Sequence, residues 1–176
     1  MNSTTWKNWI TQMDFKSCLP CRKNHGKIYE AGKPMSPAPP AHPNCRCQIL
    51  PLSAILAGTA TKKGLSGADW YLSHFGFLPD YYISLENANQ MGYDPKKNFL
   101  SSVIPDKTLF KGIYKNKNGH LPEKPGRIWY EADINYTGGK RGTNRILFSN
   151  DELIFVTYDH YHTFVEIIQG GIVNGI

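Results

Sequence analysis

Glu131 and Asp133 stand two residues apart in Arg127-Ile-Trp-Tyr-Glu-Ala-Asp-Ile-Asn-Tyr136, a run whose alternation predicts a β-strand. Side chains alternate faces along a strand, so both carboxylates fall on one face while Tyr130, Ala132 and Ile134 fall on the other. Two carboxylates so close repel unless cations sit nearby. Arg141 and Arg145 follow across Gly138-Gly139, and a short hairpin there brings them back over the same face. Asp133 then fixes the arginines, and Glu131 is left for proton transfer. The same spacing also fits a plain surface ion-pair network. His160 lies in the tight turn Tyr158-Asp-His-Tyr161 between two apolar stretches, where a histidine serves either as a general acid or structurally. His162 reads as an exposed residue entering the final strand.

Elements that could position these groups follow from the pattern of the chain. Ala68–Phe75 predicts a short helix stopped by Gly76, and Ser84 caps a second helix, Leu85–Met91, closed by Gly92. After Pro105 come strands at Leu109–Tyr114, Arg127–Tyr136, Arg145–Ser149, Glu152–Tyr158 and Tyr161–Ile167, separated by Asn-Gly, Gly-Gly, Asn-Asp and Asp-His turns. Helices first and antiparallel strands second predict an α+β fold with N-terminal helices packed on an antiparallel sheet.

Upstream the texture differs. All four cysteines, Cys18, Cys21, Cys45 and Cys47, precede residue 48. Trp6, Trp9, Ile10 and Met13 have helical spacing, Cys18-Leu-Pro-Cys21 reads as a tight turn, and five prolines make residues 24–44 irregular. The expected organisation is a small Cys/His-rich irregular module over 1–53, a linker over 54–66, a catalytic domain over 67–168 and a flexible tail over 169–176. Residues 1–60 carry seven basic against two acidic side chains, a net +5, whereas the remainder carries 13 against 12, a net +1. Any polyanion bound by the C-terminal part must therefore meet a local cluster. No apolar run approaches the roughly 20 residues of a membrane span, and the first 15 residues hold no Sec-type apolar region.

The segment Leu121–Ser149 (LPEKPGRIWYEADINYTGGKRGTNRILFS), with Asp159-His-Tyr-His-Thr-Phe164, resembles the barnase-like bacterial ribonucleases, and the likeness extends from about Ala68 to Ile168. This resemblance implies a metal-independent endoribonuclease acting on single-stranded RNA. Glu131 falls at the general base, His160 at the general acid, Arg141 and Arg145 at the phosphate-binding arginines, and Tyr161 at a supporting aromatic. Asp133 falls at the aspartate that clamps the arginines, Arg127 at a structural arginine, and Asn116, Lys117 and Asn118 in the loop that reads the base. RNA carries its own nucleophile, so the site has only to deprotonate the 2′-OH, neutralise the phosphorane and protonate the 5′-oxygen, passing through a 2′,3′-cyclic phosphate. DNA lacks that nucleophile. No cofactor for catalysis is implied.

Two departures stand out. Leu85 occupies the position of an active-site lysine, a loss of a cation typically worth about 3 kcal/mol, for which lysines elsewhere, such as Lys115 or Lys117, are candidates to compensate. Asn118 stands where the family has a glutamate that accepts from guanine, which predicts weaker or altered base preference.

Cys18-x2-Cys21 with His42-x2-Cys45-x-Cys47, set in Pro40-x2-Pro-Asn-Cys-Arg-Cys47, resembles the C-terminal end of phage Mu F-like head-morphogenesis (minor capsid) proteins. The four cysteines suit a structural zinc, with His42 or His25 able to replace one of them, and disulfides are the alternative. A phage-derived carrier joined to a nuclease implies a toxin that acts in the cytoplasm of a target cell, is exported or virion-associated, and is neutralised by an acidic barstar-like inhibitor. The competing expectation is a phage structural or RNA-binding protein whose nuclease-like domain is inactive.

Overall fold

The computed structural model describes residues 5–170. Along the chain come β1 (Trp6–Ile10), α1 (Leu19–Asn24), β2 (Ile28–Glu30), β3 (Gln48–Pro51) and β4 (Ala54–Leu56). A single turn of 3-10 helix precedes α2 (Ala68–Phe75), followed by β5 (Tyr82–Ser84), α3 (Leu85–Gln90) and α4 (Leu100–Val103). The rest is β6 (Thr108–Tyr114), β7 (Trp129–Asp133), β8 (Arg145–Ser149), β9 (Ile154–Thr157) and β10 (Val165–Ile168). The fold is mixed α+β, but helices do not simply precede strands: β1–β4 come before α2 and β5 lies between α2 and α3, while β6–β10 follow all the helices as expected.

Seven strands form the main sheet in the order β4-β10-β9-β8-β7-β6-β5. From β10 to β6 the pairs are antiparallel, as expected, but both edges are parallel, β4 on β10 and β5 on β6. Period-2 alternation divides its side chains. Ala132, Ile146, Ile154 and Val156 face α2, packing with Ala68 and Leu72. Trp129, Leu147 and Phe155 point the other way, as do Glu131, Asp133 and Arg145 by the same alternation. α3 and α4 close a third cluster around Ala88, Leu100 and Leu109.

The N-terminal third departs from expectation. Trp6–Ile10 is a strand rather than part of a helix, and it runs antiparallel to β2 and β3 in a three-stranded sheet of order β2-β1-β3. As the central strand it buries Trp6 and Trp9 on opposite faces, which leaves no clean two-residue period to read. Cys18 to Cys21 is not a simple turn, because Leu19 starts α1 with Pro20 in its first turn, where the missing N–H costs nothing. The stretch 24–44 contains β2, which precedes its first proline. Nor is the module separate: Trp6, Ile28 and Leu52 enter one core with Leu121, Trp129, Leu147, Phe155 and Phe164. The small sheet therefore covers one end of the face that carries Glu131.

Residues 54–66 are structural rather than a linker. β4 forms the sheet edge, Ala57 and Ala60 are buried, and the fully buried Asp69 accepts from the backbone N–H of Gly58 (2.7 Å) and Ala60 (2.9 Å) and from the Thr61 hydroxyl (2.9 Å). Small residues there reflect close packing against α2, not flexibility. Of the tail expected over 169–176, residues 171–176 lie outside the described residues.

Candidate active site

Glu131 sits at the middle of β7, only 3% exposed. Lys111 Nζ from the neighbouring β6 donates to both carboxylate oxygens at 3.1 and 3.2 Å. Arg145 Nε from β8 lies 3.4 Å from Oε1, and the Tyr161 hydroxyl donates to the same oxygen. Burial raises the Tyr161 phenol well above its ordinary value, and the adjacent Glu131 carboxylate adds to the shift, so the phenol stays a donor.

Asp133, 2% exposed, performs the clamping read from the sequence. Arg141 donates from Nε at 2.5 Å and from Nη2 at 2.7 Å, a bidentate pair, and Arg145 Nε approaches at 3.1 Å. Arg145 is held further by its Nη1, which donates to the carbonyls of Gly142 (2.7 Å) and Asn144 (2.8 Å). Burial opposes the charge on Arg141, yet the Asp133 partnership raises its pKa above the ordinary arginine value. Three cations (Lys111, Arg141, Arg145) against two carboxylates leave this patch net +1.

His160 lies in the β9–β10 connection, exposed and in the left-handed region at φ 58°, followed by Tyr161 at φ 72°. Asp159 organises this turn: its carboxylate accepts from the Thr157 hydroxyl (2.9 Å), the Thr163 hydroxyl (2.6 Å) and the N–H groups of His162 and Thr163. Burial would raise the Asp159 pKa, but those donors outweigh it and hold the carboxyl below its usual range. They also occupy the amides of residues 162 and 163, so the final strand starts at Val165 rather than Tyr161, and His162 lies in the loop. His160 packs on Tyr161 with ring centroids 4.7 Å apart, and Tyr161 stacks on Tyr114 at 5.5 Å. The Tyr161 side chain thus joins the His160 turn to the Glu131 carboxylate.

A groove of about 410 Å³ opens beside Glu131, lined by Lys111, Tyr114, Tyr161 and the loop 115–118. Lys117 and Asn118 are exposed there, but Asn116 is buried. Its carboxamide donates to the Leu121 carbonyl (2.9 Å) and to Glu123 and accepts from the Leu121 N–H (3.1 Å). Asn116 therefore shapes the loop from within. A second groove of about 570 Å³ begins at Arg141 and runs past Lys96, Lys97 and Lys140, so the cationic track continues on the far side of the arginines.

Sequence reading missed Lys111. The cation beside Glu131 is neither Lys115 nor Lys117, both one strand end away in the groove-lining loop. Lys111 reaches it because β6 is bulged between Phe110 and Gly112, with Gly112 at φ 87°, a conformation that favours glycine. The Lys-Gly pair in Phe110-Lys-Gly-Ile113 was the available signal. Leu85, at the head of α3, packs among Ala88 and Leu109 instead of facing the carboxylates.

Arg127, expected to be structural, pairs with Asp151 through Nε (2.8 Å) and Nη2 (2.8 Å) and donates to the Pro122 carbonyl at 2.7 Å. Cys18, Cys21, Cys45 and Cys47 are all free thiols, gathered at the far end of the small sheet with His42. His25 is not among them; its Nδ1 accepts from the Thr11 N–H at 3.0 Å.

A family model described as ribonuclease matches residues 74–168. The ribonuclease of Heyndrickxia coagulans is 42% identical over 97 residues, covering 55% of this chain and 89% of that protein. Ribonucleases of Bacillus intermedius and Bacillus pumilus are also 42% identical over 97 residues, a match that spans 60% of each.

Proposed function

Since this chain belongs to the ribonuclease family, we propose that it cuts single-stranded RNA by transphosphorylation, with Glu131 as general base and His160 as general acid. One observation carries the reading: a buried glutamate lies under Lys111, Arg145 and the Tyr161 hydroxyl, and an exposed histidine stands next to that tyrosine. Glu131 takes the proton of the ribose 2′-OH, whose oxygen attacks phosphorus. The bond from phosphorus to the 5′-oxygen breaks, and His160 delivers the proton that oxygen needs. A 2′,3′-cyclic phosphate results, and water then opens it with acid and base exchanged. Arg141, Arg145 and Lys111 stabilise the growing charge on phosphorus, so Lys111 supplies from β6 the cation that Leu85 does not. Lys117 and Asn118 contact the base, with weakened preference for guanine. No proton or phosphate step calls for a metal; a structural zinc ion at the cysteine cluster belongs to the same proposal.

The biological reading is a toxin acting in a target cell's cytoplasm, delivered by export or with a virion and opposed by an acidic inhibitor. The net positive patch and the lysines flanking Arg141 support it, since opposite charge speeds association. Among the described residues no helix is long and apolar enough to cross a membrane.

Incubation with RNA without added magnesium tests the chemistry. A 2′,3′-cyclic phosphate should appear first and a 3′-phosphate later, while DNA of the same sequence stays intact. A magnesium requirement, or equal loss of DNA, refutes the mechanism. Expression of residues 1–176 in a bacterium lacking an inhibitor should halt growth, and healthy growth with soluble folded protein refutes the toxin role.

A further inference from the structure

Cys18, Cys21, Cys45, Cys47 and His42 converge although they come from two segments of chain. His42 Nε2 lies 3.1 Å from the Sγ atoms of both Cys18 and Cys21, and Cys21 Sγ lies 3.9 Å from that of Cys45. Cys21, Cys45 and Cys47 form a second close group that shares Cys21 with the first. Ligands on one tetrahedral zinc sit about 3.5–3.8 Å apart, given bonds of about 2.3 Å to sulfur and 2.0 Å to nitrogen. A cavity of about 20 Å³ lined by Cys18, Cys21, His42 and Cys47 is the right size for one ion. His42, Cys45 and Cys47 lie in residues 31–47, which form no helix or strand; Arg46 pairs with Asp14 at 2.6 Å beside the cluster, and a metal bond would tie the thiols themselves.

We propose that one zinc ion binds this cluster as a clasp that holds the catalytic turn in place, a role that rests on the ribonuclease reading above. The physical connection is short. Cys21 lies in α1, which runs directly into His25 and Gly26. Gly26 is pressed on the turn that carries His160: a Cβ there would lie 2.1 Å from the His162 carbonyl oxygen, and φ is 81°. Thr11 ties the cluster to β1, its hydroxyl donating to the Cys21 carbonyl at 2.8 Å, accepting from Trp9 Nε1 at 3.0 Å and lying 3.4 Å from Cys47 Sγ. From β2 the Ile28 N–H donates to the His120 carbonyl at 2.8 Å. His120 Nδ1 in turn donates to the Tyr161 carbonyl at 3.0 Å. The small sheet thus holds the catalytic turn at residues 161 and 162, on either side of which lie the acid and the start of β10. The ion takes no part in the reaction; it fixes α1 and so the Gly26 contact.

The test uses the chain 1–176 purified with zinc. Elemental analysis should give one zinc per chain, and cobalt substitution should give thiolate-to-metal absorption bands. Removal of the metal with a strong chelator should speed hydrogen exchange at residues 25–28 and 159–163 while amides of β7 and β8 stay protected. kcat/KM on RNA should fall roughly tenfold to a hundredfold, the scale of a misplaced catalytic group, and return with zinc but not with magnesium. The Cys18→Ser/Cys45→Ser double variant should behave as the stripped protein. Gly26→Ala should keep its zinc and lose activity to a similar degree, because it breaks the contact downstream of the ion. Absence of zinc and of cobalt–thiolate bands overturns the clasp, as does a stripped protein with unchanged exchange and rate. If the zinc-loaded chain cleaves no RNA, the ribonuclease reading fails, while stoichiometry and exchange still decide whether the clasp exists.

Discussion

Replacing Asp133 with asparagine separates the two tasks of the arginine cluster. The side chain keeps its shape but loses the charge that faces Arg141 at 2.5 and 2.7 Å and Arg145 at 3.1 Å. Breaking a buried ion pair from one side costs about 3–5 kcal/mol. The Arg141 side chain is 22% exposed, so its charge regains some hydration and the lower end applies, about 3 kcal/mol. For a chain of this length each kcal/mol moves Tm by roughly 2–4 °C, so calorimetry should record a fall of roughly 6–12 °C. The patch changes from net +1 to net +2, so phosphate attraction does not weaken and KM should stay level or drop. kcat should nevertheless fall about 10²-fold, because the guanidinium groups no longer have a fixed direction. A Tm within 2 °C of the parent, or a higher KM at unchanged kcat, would refute the claim that Asp133 acts by holding the arginines.

Three further outcomes are expected. His160→Ala should lower kcat/KM by roughly 10²–10⁴-fold with little change in Tm and should remove the basic limb of a bell-shaped pH profile, whereas His162→Ala serves as control; loss of cleavage in the second variant alone would refute the assignment. A fragment starting at residue 67 should be clearly less stable in urea than one starting at residue 53, because it lacks β4 and the segment that satisfies buried Asp69; equal midpoints would refute that. Burial lowers the pKa of both His25 and His120, so each favours the fold while neutral, and stability should be lost as pH falls below the unfolded value of about 6.5. Protonation also removes the Nδ1 acceptor that His25 offers Thr11, so exchange at residues 9–11 should rise first; a stability curve flat from pH 7.5 to 5 would count against this coupling.

What could be read in the sequence follows from how local each signal is. The Glu131/Asp133 pair and the returning arginines were legible because one strand and one hairpin determine them, and period 2 states which face they share. Capping by Ser84 and termination at Gly76 were legible for the same reason. Lys111 was not, since its approach to Glu131 depends on a bulge that shifts register between two strands 20 residues apart. The N-terminal third was misread because β1 is packed on both sides and because β4 pairs with a strand more than a hundred residues later. Asn116 looked like a base reader on position, yet its φ of 43° and inward carboxamide make it a brace for the loop.

The pairing of β4 with β10 also sets an order of events during synthesis. β10 is inserted between the first strand of the sheet and β9, so Ala54–Leu56 has no partner until Val165–Ile168 has left the ribosome. Contacts of such long sequence separation form late, since the loop must close before they repay its entropy. On its far side the turn with His160 leads into β10, so its ordering waits on that late pairing. The elements that carry Lys111, Glu131, Arg141 and Arg145 meet near neighbours in sequence, so the folding chain assembles that charged cluster before it fixes the turn with His160.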